Sequence, residues 1–80
     1  MDTNLIKEII EETINTSKVE ILDTTGTGDH FNALIVSDIF EEMSLINRHK
    51  LVYKSLSQFL TKEIHALQLK TLTTKEYNNE

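Results

Sequence analysis

Residues 30–44 read His-Phe-Asn-Ala-Leu-Ile-Val-Ser-Asp-Ile-Phe-Glu-Glu-Met-Ser, an apolar run interrupted mainly by Asn32 and closed by Ser37-Asp38. A short apolar run bounded by turn residues has the length of a strand rather than of a helix. The pattern predicts a strand over residues 30–37, and one helical turn is compatible with Asp38–Glu42. Immediately before it, Thr25-Gly26-Thr27-Gly28-Asp29 holds both glycines of the chain, which concentrates the permissive backbone positions in one loop. Lys18 to Thr24, upstream of that loop, alternates, with Val19 and Ile21 on one side and Glu20 and Leu22 on the other. It predicts a second strand that precedes the first in the chain. Further upstream, Ile6, Ile9, Ile10 and Ile14 recur at helical intervals opposite Lys7, Glu8, Glu11 and Glu12, so residues 3–15 are read as an amphipathic helix.

Downstream, Ser44 is placed to cap a long helix in which Leu45, His49, Val52, Leu56 and Phe59 repeat in steps of four and three. The periodicity carries that helix to about Thr61. Ile64 to Thr71 alternates again, with His65, Leu67 and Leu69 on one parity, and is read as a third strand whose His65 side faces the helices. Thr73-Thr74-Lys75-Glu76 has the spacing of a capping box, predicting a last short helix, with residues 78–80 expected to fray. The order α-β-β-α-α-β-α fits a two-layer α+β domain over residues 1–80, its helices on one face of a three-stranded sheet.

With 80 residues there is room for one apolar core and one binding surface. The absence of cysteine excludes a disulfide framework, a CxxC redox pair and any all-cysteine zinc or iron-sulfur site within the chain. No secretory or transit pattern opens the sequence, and no apolar stretch approaches a membrane span, so a cytoplasmic location is expected. The wealth of Ile, Asn and Lys is compatible with a bacterial genome rich in A and T. A formal net charge of −5 opposes generic attraction to nucleic acid. The bases are nonetheless gathered: residues 48–62 carry Arg48, Lys50, Lys54 and Lys62 with no carboxylate among them. That segment reads either as a solvated helix face or as a docking surface.

The phrases "VEILDTT", "HFNALIVSDIFEEMS", "RHKLVY" and "IHALQLKTLT", at residues 19–25, 30–44, 48–53 and 64–73, together resemble the BolA-like family in a short, cysteine-free form. The resemblance implies a type II KH-like fold. It also implies partnership with a monothiol glutaredoxin in a heterodimer, around a shared [2Fe–2S] cluster whose remaining ligands include a glutathione thiolate; no cofactor is expected in the isolated chain. Two positions depart from the family pattern: Thr74 stands where proline is common, and Tyr77 where tryptophan is common. Both bear on the pose of the last helix.

On residue type alone each histidine has two readings. His65 is either a rim residue bonded to backbone or a ligand, and its Ile-His-Ala-Leu setting resembles the segment that carries the family's most characteristic cluster ligand. His30, between the glycine loop and a strand, is either a loop hydrogen-bonding group or the second ligand that the family draws from this region. His49 falls on the apolar stripe of the long helix and is read as packing or docking before metal. Imidazole ligation of a [2Fe–2S] centre is chemically established where two histidines hold one iron, but the other iron then needs thiolate. This chain has none, so a partner would supply the sulfur.

The leading expectation is therefore a non-enzymatic binding module with His65 and His30 as metal ligands and Arg48, His49, Lys50 and Lys54 at the docking surface. The alternative is a helix-turn-helix or KH-like nucleic-acid-binding transcriptional regulator, with Arg48, Lys50 and Lys54 on phosphate and only weak DNA binding. No GxxG clamp of the KH type is present. Catalysis has little to rest on, since the serines lack a nucleophile motif and Glu11-Glu12 and Glu41-Glu42 read as solvated helix surface.

Overall fold

The computed structural model describes residues 1–80. In chain order the elements are α1 (Thr3–Thr13), β1 (Lys18–Asp23), β2 (His30–Val36), a 3-10 turn (Asp38–Phe40), α2 (Leu45–Ser55), β3 (Ala66–Leu72) and α3 (Thr74–Asn78). The sheet order is β1-β2-β3, with β1 antiparallel and β3 parallel to the central strand. A parallel neighbour cannot follow by a tight turn, and the 3-10 turn with α2 provides the crossover.

Register makes a single face of the three strands. Val19 pairs with Ile35 and Ile21 with Ala33, while Phe31 pairs with Leu67, Ala33 with Leu69 and Ile35 with Thr71. Odd-numbered residues thus meet odd-numbered residues across the whole sheet, and this is the face the helices cover. Ile6 and Ile10 from α1, its C-cap Ile14, Phe40 from the 3-10 turn, Val52 and Leu56 from the α2 region, and Ile64 close the core over Val19, Phe31, Ala33 and Ile35. The predicted α+β architecture is the one observed. No helix is long and apolar enough to cross a membrane.

Three local readings change. The long helix stops at Ser55 instead of continuing to Thr61. Ser55 Oγ donates to the Val52 carbonyl at 2.6 Å, a local bond that competes with helix propagation. The chain then tightens through bonds from Leu56 N to Tyr53 O and from Phe59 N to Leu56 O, and Thr61 takes a positive φ of 66°. Val52 and Leu56 remain fully buried, but Leu45, at the first helical position, is 60% exposed. The apolar stripe is therefore shorter than its spacing suggests. Second, the first half of the anticipated helix-turn-helix is only the three-residue 3-10 turn, capped by Ser37, whose hydroxyl accepts from Ile39 N. Third, β3 begins at Ala66, leaving His65 just ahead of the strand.

The last helix forms as its capping box predicts: Thr73 Oγ1 accepts from Glu76 N at 3.1 Å, and Glu76 Oε1 accepts from Thr73 N at 2.8 Å. Thr74 occupies the first helical position, where a backbone N–H has no intrahelical partner and where proline is equally at home. The departure from proline therefore leaves the helix intact. Tyr77, in place of tryptophan, lies under Lys18 with the ammonium 5.6 Å from the ring centroid. At the tail, Asn78 still belongs to α3, and Glu80 Oε1 stands 3.0 Å from Lys70 Nζ.

Candidate functional site

The parallel pairing of β2 and β3 starts both strands at the same end of the sheet. His30 is the first residue of β2 and is in register with Ala66, the first of β3, so His65 falls beside it. The backbone fastens this junction: the Asp29 carbonyl accepts from His65 N at 2.8 Å and from Ala66 N at 3.2 Å. The two imidazole centroids are 6.1 Å apart, with planes 85° to one another.

Between the rings stands the Asp29 carboxylate. His30 Nδ1 is hydrogen-bonded to Oδ1 at 2.8 Å, and His65 Nδ1 lies 3.3 Å from Oδ2. Thr27 donates its hydroxyl to Oδ1 as well. The Thr27 and His30 bonds, ahead of the ring charges, hold the Asp29 carboxyl at about 2, below its ordinary 3.8. The loop that presents Asp29 is organised by a second carboxylate: Asp23 accepts from Thr25 N, Gly26 N and Gly28 N. Gly26 and Gly28 both sit at positive φ, which glycine adopts without a Cβ penalty.

Both rings reach solvent, with side chains 43% exposed for His30 and 58% for His65. A groove of about 440 Å³ leads from His30 past Ala66 and Leu67 to His49 and Tyr53. Tyr53 donates its hydroxyl to the Leu67 carbonyl at 3.2 Å, while His49 turns a buried Nε2 inward without a hydrogen-bond partner. His49 therefore stands apart from the pair on Asp29.

Arg48, expected at the docking surface, is bonded within the fold. Its Nε donates to Met43 O at 3.2 Å, and its Nη1 to Thr71 O at 3.3 Å and to Glu76 Oε1 at 2.7 Å, leaving the side chain 11% exposed. It also lies 5.7 Å from the Phe40 ring centroid. The guanidinium, joined by the Thr73 N–H, in turn keeps Glu76 below the ordinary carboxylate range. Arg48 is a strut between α2, β3 and α3. Lys50 and Lys54 are the exposed cations of α2.

A sequence model described as BolA-like protein matches residues 5–76 of this chain. The chain belongs to the BolA-like family. Protein RP812 of Rickettsia prowazekii (strain Madrid E) is 39% identical over 69 residues, spanning 85% of this chain and 88% of its own length. The DNA-binding transcriptional regulator BolA of Escherichia coli (strain K12) is 33% identical over 84 residues, spanning 91% of this chain and 80% of that protein. BolA1 from Arabidopsis thaliana superposes with a TM-score of 0.84 at 32% identity, over 92% of this chain and 93% of that one.

In this BolA-like chain the two histidines singled out from sequence come together, whereas Arg48 is bonded within the fold and His49 is half-buried on the groove. No three His, Asp or Glu side chains converge to hold a metal ion. The donor set is a pair of accessible imidazoles without sulfur, which suits part of a coordination shell completed from elsewhere. Sequence reading missed Asp29. The signal was present in Thr-Gly-Asp-His, an acid next to a candidate ligand, but its reach to His65 exists only once β3 is paired with β2.

Proposed function

We propose that this protein is a non-enzymatic binding module that docks a monothiol glutaredoxin and contributes His65 and His30 to a shared [2Fe–2S] cluster. The observation that carries the reading is the pair of solvent-reaching imidazoles, 6.1 Å between centroids, at one sheet end of a chain without cysteine. Bound there, the cluster would supply redox-active iron and sulfide, with thiolates from the partner and glutathione on the iron that the histidines leave. The chain's own part is to hold two rings in place and to offer a surface. Lys50 and Lys54 give that surface positive charge within an acidic protein, which acts on encounter rate and orientation. The setting is cytoplasmic.

The test is anaerobic reconstitution with iron, sulfide, glutathione and a monothiol glutaredoxin from the same source, read by visible circular dichroism as this protein is titrated in. A new spectrum that saturates at one-to-one and is lost in His65→Ala supports the reading. A glutaredoxin spectrum unchanged throughout the titration refutes it.

The printed name of the Escherichia coli relative supports a second reading, transcriptional regulation by DNA binding. For this chain it would rest on Lys50 and Lys54, since Arg48 is bonded within the fold. Preference for one DNA sequence at moderate salt would favour it, whereas affinity that collapses as salt rises would reflect charge alone.

A further inference from the structure

We infer that Asp29 is a positioning residue that holds His30 in the Nδ1–H tautomer and so makes Nε2 the donor atom that this ring presents. The inference deepens the proposed function, because it assigns which atom of His30 meets a metal.

An ionised carboxylate only accepts hydrogen bonds, so a ring nitrogen that bonds to it must carry the hydrogen. His30 Nδ1 is hydrogen-bonded to Oδ1 at 2.8 Å, whereas His65 Nδ1, 3.3 Å from Oδ2, is near the carboxylate without a hydrogen bond to it. A neutral imidazole has a single N–H, and with that hydrogen at Nδ1 the lone pair is left on Nε2. A carboxylate behind a ligating histidine is a recurrent arrangement that fixes tautomer and ring orientation and strengthens the donor. Here the Asp29 carboxylate stands behind the His30 ring. The Thr27 hydroxyl bond to Oδ1 fixes the carboxylate in turn.

The role of the side chain is separable from that of the backbone. The Asp29 carbonyl, which accepts from His65 N and Ala66 N, survives any substitution at this position. Changing the side chain therefore frees the His30 ring while the strand junction stays tied.

The experiment is long-range 15N–1H correlation NMR of the isolated, metal-free chain, at a pH where the imidazoles are neutral. In the wild type His30 should show a protonated Nδ1 and a bare Nε2. In Asp29→Ser it should move toward the Nε2–H form that free histidine prefers. A wild-type His30 already in the Nε2–H form, or a tautomer unchanged in the folded variant, would overturn the inference. Should Asp29→Ser fail to fold, the wild-type tautomer of His30 decides alone. In the reconstituted glutaredoxin complex, loss of this carboxylate should weaken ligation by His30 about 10–100-fold. A His30 tautomer that responds as expected while no mixed spectrum forms with wild-type protein would refute the cluster reading and leave the role of Asp29 standing. A mixed spectrum with an unresponsive tautomer would do the reverse.

Discussion

Leu56→Ala tests how the domain is held together. Leu56 is fully buried and joins the cluster containing Ile6, Phe31, Val52 and Ile64, although it lies past the last residue of α2. Truncation removes buried methyl groups and leaves a cavity, which costs about 2–5 kcal/mol. A domain of this size has a total stability on the order of 4–12 kcal/mol, so the change removes a large share of it. One kcal/mol displaces Tm by roughly 4–8 °C in a chain this short, which places the expected drop at about 8 °C or more. The assay is far-ultraviolet circular dichroism through thermal and urea unfolding, with the urea slope m compared between variants. An unchanged m would assign the loss to the folded state. The paired control is Leu45→Ala, on the same sequence stripe but 60% exposed, which should stay within about 0.5 kcal/mol of wild type. Equal effects from the two substitutions would refute the packing described for residues 45–60.

His65→Ala should leave thermal stability within about 0.5 kcal/mol, because an exposed side chain is removed, yet abolish the mixed-complex spectrum; a large fall in Tm would reveal a structural histidine instead. Acid titration should expose Asp29: a carboxyl held at about 2 rather than 3.8 contributes stability that is fully present above 3.8 and is lost as pH falls toward 2. Asp29→Ser should flatten that part of the pH–stability curve, and an unaltered curve would mean that the carboxylate does not couple to folding. Charge reversal at Lys50 and Lys54 together should slow association with glutaredoxin and weaken its salt dependence without altering Tm. An unchanged association rate would place the contact on another face.

The fold was legible because its dominant signals are local. Alternation in residues 18–24 and 64–71, the Ile stripe of α1 and the capping box at Thr73 each specify an element without reference to the rest of the chain. The failures lie where local and tertiary effects compete. From Ser55 onward the apolar spacing continues at helical intervals, but the Ser55 hydroxyl, a left-handed Thr61 and the bridge between Leu60 and Ile64 turn the chain away from the helix. Arg48 shows the same limit. Its neighbours in sequence make it look like part of a basic face, whereas Thr71 and Glu76, more than twenty residues downstream, draw the guanidinium inward.

The site depends on topology in a way that residue type does not reveal. His30 and His65 each occur at the N-terminal side of a strand of seven residues. Were β3 antiparallel to β2, the same sequences would put the two rings at opposite ends of the sheet, on the order of 20 Å apart at about 3.3 Å per residue. Parallel pairing brings them to one end, and the Asp29 carbonyl sets the junction through His65 N and Ala66 N. The crossover through α2 makes that pairing possible, and the α2 crossover in turn needs the core formed by Val52 and Leu56. The juxtaposition of the two imidazoles at the candidate site thus depends on core packing contributed from the crossover.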